Sequence, residues 1–213
     1  MPSSPDRDRT GAGAVTGKGA NADAADRPDA ELGPIVLVGM MATGKTTVSR
    51  QLGKTFGRKI YDSDAMIEAR TGRTVAQLWD EGGEPAYRDL ETDVLDEALV
   101  ARPPGVVAAA GGVVLREANR RRLRRASAEG GVVIWLRADP AILATRVRPG
   151  DHRPLIAHDP AGTLARLAAE REPLYAEVAD RTVDSGHGSF NQVVDAVMAA
   201  ITSVADERRA APS

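Results

Sequence analysis

The 213-residue chain has no cysteine, which excludes disulfides, thiolate-bound zinc, iron–sulfur clusters and a cysteine nucleophile. Aromatic residues are scarce at 3%, and no apolar run approaches the ~18 residues of a membrane-spanning helix. The N-terminus lacks the apolar segment of a signal peptide, and its many aspartates argue against a transit peptide. A net charge of −2 gives no electrostatic reason to expect nucleic acid or an anionic membrane as partner. We therefore expect a cytoplasmic protein. We also expect a monomer, although none of these features bears on oligomeric state.

Both ends of the chain are poor in residues that could form a core. Residues 1–33 are mainly small or charged, with Val15 and Leu32 their only larger aliphatic residues after Met1. Such a composition cannot offset the entropy lost on ordering, so we predict a disordered tail over residues 1–33 and a shorter tail over residues 205–213. Residues 34–204 are then one folded domain, which is long enough for a single core.

Within this domain, short apolar runs alternate with segments of helical periodicity. Alternation of this kind predicts an α/β fold with a parallel sheet, helices on both faces and ligands at the carboxyl ends of the strands. The predicted strands are Ile35–Val38, Lys59–Tyr61, Val106–Ala109, Val132–Leu136 and Thr182–Asp184. The predicted helices cover a stretch after residue 44, residues 65–100, 119–126 and 139–147, a stretch ending at Ala179, and a last helix after Ser189. Residues 148–160, with three prolines, are predicted to form a loop.

Caps and an apolar stripe are predicted for two of these helices. Asp139 is placed to cap the helix that follows it. Ser189 and Gln192 have the spacing of a capping box. The buried face of the last helix is predicted to consist of Phe190, Val193, Val194, Val197 and Ile201.

A glycine-rich motif of the form G-x-x-x-x-G-K-[ST] lies between the first predicted strand and the first helix. Its residues are Gly39, Met40, Met41, Ala42, Thr43, Gly44, Lys45 and Thr46, and Thr47 follows as a further candidate contact. In this setting backbone N–H groups curl around phosphate oxygens at the positive end of a helix dipole. Lys45 can reach the β- and γ-phosphates, and the Thr46 hydroxyl can bind Mg²⁺. The motif predicts nucleotide binding.

Two aspartates follow the second predicted strand. If the chain stays extended from Asp62 to Asp64, an i, i+2 pair directs both carboxylates to one side, at the ligand-binding edge. One could support Mg²⁺ and the other could accept a proton from a substrate hydroxyl. The alternative is that these aspartates only cap the following helix.

Other candidate residues are individually weak. Glu91 lies one helical turn after Arg88 and could hold its guanidinium, although a solvated arginine is the commoner case. Gly111-Gly112 ends a strand, where either a close approach of the backbone or a plain turn would need glycine. Arg153 lies in the proline-rich loop, from which it could reach a transferring phosphate.

Two further signals favour ordinary surface roles. The run Arg120–Arg125 could bind nucleic acid, but the net negative charge favours a solvated helix face. His152 could act as a base, but an exposed histidine in the loop is the simpler interpretation.

Taken together, the motifs resemble the shikimate kinase family over residues 35 to about 204. The matching pieces are the glycine motif, Asp62-Ser63-Asp64, Thr71-Gly72-Arg73-Thr74, Gly82-Gly83-Glu84 with Tyr87-Arg88 and Glu91, Gly111-Gly112, Arg153-Pro154-Leu155, and Arg171-Glu172-Pro173-Leu174-Tyr175. The resemblance implies a three-layer P-loop NTPase fold with five parallel strands and a mobile lid. It also implies ATP and Mg²⁺ as cofactors and transfer of the γ-phosphoryl group to the 3-hydroxyl of shikimate.

The resemblance also implies a role for each matching residue. Lys45, Asp64 and Arg153 are the expected catalytic residues, with Asp64 as the base. Thr46 and Asp62 are the expected Mg²⁺ contacts. The expected substrate contacts are Arg88 and Arg171, which clamp the substrate carboxylate, with Gly111, Gly112, Glu91, Trp79, Tyr87 and Asp64. Arg146 and Arg153 join the glycine motif in binding the nucleotide.

The chain departs from the family pattern at three positions. Ala110 replaces the first of three glycines, which is harmless if its φ is negative. Ala108 replaces a small hydroxyl residue, and Gly188 replaces a basic residue next to His187. Two rival interpretations remain at this stage: a related P-loop kinase for gluconate or a cyclitol, and a nucleotide-binding module without activity.

Overall fold

A computed structural model describes residues 32–147 and 159–211 and contains a five-stranded parallel sheet flanked by helices, which confirms the predicted fold class. The strands are β1 (Ile35–Val38), β2 (Ile60–Asp62), β3 (Val106–Ala108), β4 (Val132–Arg137) and β5 (Arg181–Asp184). The helices are α1 (Lys45–Phe56), α2 (Ser63–Thr71), α3 (Val75–Val100), α4 (Glu117–Ala128), α5 (Pro140–Arg146), α6 (Pro160–Val178) and α7 (Phe190–Ala210). A short 3₁₀ turn covers Val113–Leu115.

The strand order β2-β3-β1-β4-β5 places β1 at the centre of the sheet. All four β1 residues are buried, as expected for a parallel strand covered on both faces. Ile35 and Leu37 pack into the core under α1 and α7, whereas Val36 and Val38 pack into the core on the opposite face. Because the strands are parallel, the segments that follow β1, β2 and β3 meet at one edge of the sheet.

Several predicted helix boundaries match the structure. The Asp139 carboxylate accepts a hydrogen bond from the Ala141 N–H at 2.7 Å and caps α5. Ser189 and Gln192 form the predicted capping box at the start of α7. Phe190, however, was wrongly assigned to the buried face of α7, because its exposure is 44%. It occupies the first turn, which lies outside the core, and the buried stripe begins at Val193.

The long helical region predicted between residues 65 and 100 is interrupted twice. Gly72 ends α2 in a left-handed conformation, with φ of 67°, and Thr74 begins α3 with its own capping box. Gly83, with φ of 67° and ψ of −177°, then kinks α3 two residues before Pro85. The kink separates the first turns of α3 from the part that carries Arg88.

The predicted domain limits were too narrow at both ends. Leu32 is buried, and the Arg58 guanidinium donates to the Leu32 carbonyl at 2.9 Å and to the Gly33 carbonyl at 2.7 Å. At the other end α7 continues to Ala210, and Arg208 donates to the Ser127 hydroxyl at 3.0 Å. The boundaries predicted from composition were misplaced because Leu32 stands alone among small and charged residues, and because the polar end of α7 has the composition of a tail.

The arginine run of α4 lies among acidic side chains. Arg122 pairs with Asp96, Arg125 pairs with Glu129, and Arg124 pairs with Glu177. This arrangement fits the expected charged helix face. Across residues 32–147 and 159–211, none of the helices combines the length and apolarity needed to cross a bilayer.

Candidate active site

The glycine motif connects β1 to α1 at the centre of the sheet edge. Gly39 has φ of 139°, and an added Cβ would lie 2.3 Å from the Leu136 carbonyl oxygen, so a side chain cannot be accommodated there. Gly44, with φ of 91°, directly precedes α1, whose first N–H groups face the loop. The Lys45 ammonium donates to the carbonyls of Gly39 and Met40, each at 2.8 Å. The loop therefore has the conformation and the charge that phosphate binding requires.

The other residues of the motif shape this loop. Thr43 is buried, and its hydroxyl donates to the Met40 carbonyl at 2.8 Å. Ala42 has φ of 61°, a left-handed conformation that non-glycine residues adopt infrequently. Met40 and Met41 are buried in the core, whereas Thr47 is exposed on α1.

The Asp62 side chain links the glycine motif to the start of α2. One carboxylate oxygen accepts from the Thr46 hydroxyl at 2.6 Å, and the other accepts from the Ala65 N–H at 3.2 Å, which caps α2. The capping alternative therefore holds for Asp62 alongside its contact with the P-loop threonine. These two oxygen groups are of the kind that Mg²⁺ takes alongside nucleotide phosphates and water.

The predicted extended geometry of Asp62 and Asp64 is wrong. β2 ends at Asp62 and α2 begins at Ser63, so Asp64 lies in the first helical turn. The two carboxylates nevertheless line one cavity of about 210 Å³ beside the P-loop. The cavity is lined by Met41, Ala42, Gly44, Lys45, Thr46, Asp62, Asp64, Ala108, Ala109, Ala110 and Gly111.

Arg88 is buried with 7% exposure and is held by two carboxylates. Its guanidinium donates to Glu84 from Nε at 3.1 Å and from Nη2 at 2.8 Å, and Nη1 donates to the buried Glu91. Burial lowers the pKa of Arg88, but Glu91 and Glu84 outweigh it and the net shift is upward. Burial raises the pKa of Glu91, and Arg88 only partly reverses this shift. The two carboxylates fix the orientation of the guanidinium, so its remaining N–H groups are directed before any ligand binds.

Gly112 makes room for this guanidinium. A Cβ built on Gly112 would lie 1.8 Å from Arg88 Nη1, whereas a Cβ on Gly111 would make only ordinary contacts, the nearest at 3.5 Å. Close approach therefore explains glycine at position 112 but not at position 111.

Arg171 lies on α6 and faces the same glycine pair. It is buried, its Nη1 donates to the Gly111 carbonyl at 3.3 Å, and its Nε has no partner among the described residues. Burial raises the pKa of Glu91, and the charge of Arg171, like that of Arg88, opposes part of this rise. The structure thus brings together Arg88 and Arg171, which are far apart in sequence, and leaves a buried donor unused.

Trp79 and Tyr87 lie beside Arg88. Their ring centroids are 5.8 Å apart, and the Arg88 guanidinium carbon lies 5.6 Å from the Trp79 ring centroid. The Tyr87 hydroxyl donates to Asp64 Oδ1 at 2.8 Å. The aromatic residues therefore contact both the predicted clamp and the predicted base.

Arg146 is the remaining predicted nucleotide contact that the structure describes. Arg146 donates to the Ser185 carbonyl at 2.8 Å and to the Gly186 carbonyl at 3.0 Å. Arg153 and His152 lie outside the described residues. Ala110 is not among the described residues with positive φ, so its methyl group causes no backbone strain.

Two residues of the site lie within the matching motifs but were given no role from the sequence. Glu84 holds two donors of Arg88, and its i, i+4 spacing to Arg88 was the available signal. The Tyr175 hydroxyl donates to the Gly111 carbonyl at 2.5 Å, and Tyr175 lies one turn after Arg171. Burial raises the pKa of Tyr175, although Arg171 opposes this shift, so the phenol remains a donor.

A P-loop after the central strand, a carboxylate on the P-loop threonine and a neighbouring cluster of buried arginines define a P-loop kinase fold. A family model described as shikimate kinase matches residues 41–202. The chain belongs to the shikimate kinase family.

Individual relatives agree with this assignment. A shikimate kinase of Ruegeria pomeroyi is 40% identical over 81% of this chain and 86% of its own. One of Symbiobacterium thermophilum is 44% identical over 77% of this chain and 93% of its own. The structure of a shikimate kinase from Acinetobacter baumannii in complex with shikimate has a TM-score of 0.74 at 35% identity, covering 81% of this chain and 94% of that chain. A gluconokinase from Sinorhizobium meliloti, with a TM-score of 0.56 at 20% identity over 84% of this chain and 97% of that chain, shares the fold alone.

Proposed function

We propose that this protein is an ATP-dependent shikimate kinase that forms shikimate 3-phosphate and ADP, a step of chorismate and aromatic amino-acid biosynthesis. The observation that carries the proposal is the pair of buried arginines, Arg88 and Arg171, gathered at Gly111-Gly112 beside the P-loop cavity. Two guanidinium groups suit a planar carboxylate, because each can donate parallel hydrogen bonds to it. The structurally similar relative in complex with shikimate supports the same substrate.

The proposed reaction is an in-line displacement. The 3-hydroxyl oxygen of shikimate forms a bond to the γ-phosphorus of ATP, and the bond from that phosphorus to the β–γ bridging oxygen breaks. Asp64 accepts the hydroxyl proton, and ADP leaves with the bridging oxygen. Lys45 binds the β- and γ-phosphates, and Arg153 stabilises the transferred group.

Thr46 and Asp62 are proposed to hold Mg²⁺, with Asp62 acting through water. The ion, when bound, would neutralise charge on the β- and γ-phosphates. The support is the pairing of the two oxygen groups at 2.6 Å next to the P-loop. No cluster of three or more potential metal-binding side chains occurs among residues 32–147 and 159–211. The nucleotide and water are proposed to complete the coordination.

A coupled assay of ADP release with shikimate, quinate and gluconate tests the proposed substrate. We expect activity with shikimate to exceed activity with gluconate by at least about 10²-fold, because gluconate cannot place a ring hydroxyl in line while its carboxylate is clamped. Higher activity with gluconate would make the related sugar-acid kinase the better assignment. ATP binding without turnover of any of the three would favour a nucleotide-binding module.

Asp64→Asn tests the proposed base. We expect kcat to fall by about 10²-fold or more, with little change in the KM for ATP, because the amide cannot accept the proton. Asp62→Asn is a matched substitution two residues away, and it should instead alter the Mg²⁺ dependence. Near-wild-type turnover of Asp64→Asn would remove Asp64 from the mechanism.

The proposed setting is the cytoplasm, with the protein acting as a monomer. The first proposal rests on the composition of the chain, and the second is a working expectation. Size-exclusion chromatography with light scattering tests the second, since a monomer must elute at the mass of one chain at all concentrations.

A further inference from the structure

The Tyr87 hydroxyl group makes a hydrogen bond that joins two helices at the candidate base. Tyr87 lies on α3 beyond the kink, and its hydroxyl donates to Asp64 Oδ1, in the first turn of α2, at 2.8 Å. Asp64 itself is half-buried and lines the P-loop cavity. The carboxylate therefore has one oxygen held by a phenol while the side chain reaches the cavity.

The phenol is built to remain a donor. Burial, then the charge of Asp64, and then that of Glu91 raise the pKa of Tyr87, and Arg88 only partly opposes them. The O–H group is therefore retained at every pH at which a kinase of this kind would act. A donor that cannot ionise always presents its hydrogen to the same carboxylate oxygen.

The ring that carries the hydroxyl is held in place. Tyr87 is 4% exposed and packs with Ile67 and Val94, and its centroid lies 5.8 Å from that of Trp79. The Arg88 guanidinium carbon lies at the same distance, 5.8 Å, from the Tyr87 centroid. Because the ring is packed among these residues, its hydroxyl cannot follow a moving carboxylate and must instead fix the carboxylate.

We infer that Tyr87 is a positioning residue, which holds Oδ1 of Asp64 so that Oδ2 is presented to the attacking hydroxyl of the substrate. No hydrogen bond to Oδ2 is present among residues 32–147 and 159–211, so this oxygen is available to accept the proton. The inference rests on the proposed role of Asp64 as base. It adds that the productive orientation of Asp64 depends on the Tyr87 hydroxyl, which donates its hydrogen to Asp64 Oδ1, whatever contact the ring makes with the substrate.

Tyr87→Phe is the direct test, because it removes the hydroxyl and keeps the ring. We expect kcat to fall about 5- to 20-fold, while the KM values for shikimate and ATP stay within about twofold, since a misoriented base affects the chemical step. The thermal midpoint should fall by about 3–6 °C, as for the loss of one hydrogen bond to a half-buried carboxylate in a domain of this size. Tyr61→Phe is the matched control: Tyr61 is also buried, lies beside Gly105 and Lys59, and should lose no activity.

A double-mutant cycle with Asp64→Ala separates positioning from packing. With no carboxylate to orient, Tyr87→Phe should change the residual kcat by less than about twofold in the Asp64→Ala background. An equal loss in both backgrounds, or no loss of kcat in the single variant, would overturn the inference. If Asp64→Ala alone retained wild-type kcat, both the proposed base and the positioning role of Tyr87 would be refuted. This result differs from the failure of the positioning role alone, in which Asp64→Ala loses kcat but Tyr87→Phe does not.

A second variant is needed if Tyr87→Phe proves too unstable to interpret. With 3-fluorotyrosine at position 87, both the ring and the O–H donor are retained, so kcat should lie within about threefold of wild type. A loss as large as that of the phenylalanine variant would show that the donor is not what matters.

Discussion

Gly112→Ala puts the arrangement of Arg88 to a direct test. The added methyl group would lie 1.8 Å from Nη1, 2.2 Å from Cζ and 2.6 Å from Nη2 of Arg88. All three atoms belong to the end of a flexible side chain, so the backbone need not move, but the guanidinium must. Moving it disturbs its hydrogen bonds to Glu84 and to the buried Glu91.

The expected magnitude follows from the bonds that are disturbed. Hydrogen bonds to charged groups contribute about 1.5–3 kcal/mol each, and part of this is recovered if the guanidinium finds a second position. We expect the free energy of unfolding to fall by about 2 kcal/mol, or about 4–8 °C in thermal midpoint for a domain of this size. Since the displaced guanidinium can no longer clamp a carboxylate, the KM for shikimate should rise at least about tenfold, which corresponds to ~1.4 kcal/mol.

Gly111→Ala is the matched control for stability. Its Cβ would make only ordinary contacts, the nearest 3.5 Å from the Met41 nitrogen, and its φ is not positive. In thermal unfolding without ligand it should stay within about 2 °C of wild type, as surface-like substitutions do. If Gly112→Ala also stayed within this range and kept its KM for shikimate, the Arg88 guanidinium would not lie against Gly112 in solution.

Two further predictions concern the clamp and the start of the domain. Replacing Arg88 or Arg171 by Lys should raise the KM for shikimate about tenfold or more and leave the KM for ATP nearly unchanged, because lysine keeps the charge but cannot donate two parallel hydrogen bonds. Titrating each substrate separately checks this prediction, and an unchanged KM for shikimate in both variants would refute the clamp. Deleting residues 1–31 should leave activity and the thermal midpoint unchanged, whereas deleting residues 1–33 should lower the midpoint by several degrees, because Arg58 then loses two carbonyl acceptors. Equal midpoints for the two truncated proteins would contradict the second prediction.

The order of elements and the location of the site could be predicted because each depends on local signals. Apolar runs, caps such as Asp139 and Ser189, and the strand-loop-helix setting of the P-loop are all readable over a few residues. The convergence of Arg88 and Arg171 was implied by the family resemblance, and periodicity alone could not supply it.

The features that could not be predicted from the sequence depend on contacts between distant segments. The start of α2 at Ser63 changed the expected relation of Asp62 to Asp64, because the Asp62 side chain caps a helix that begins two residues earlier than the periodicity indicated. The phenol–carboxylate bond of Tyr87 spans 23 residues, and no pattern within one helix points to it. The exposure of Phe190 depends on where the core ends, which the periodicity of α7 does not specify.

The two hydrogen bonds of Asp62 also have a thermodynamic consequence. The same carboxylate that caps α2 accepts from the Thr46 hydroxyl of α1, so any ligand that recruits Thr46 must compete with a bond of the unliganded fold. Ligand affinity at the P-loop and the local stability of α2 therefore share one free-energy cycle, and a change in either must appear in the other. Hydrogen exchange at the first turn of α2, measured with and without Mg²⁺–nucleotide, would report that coupling at a distance from the phosphates themselves.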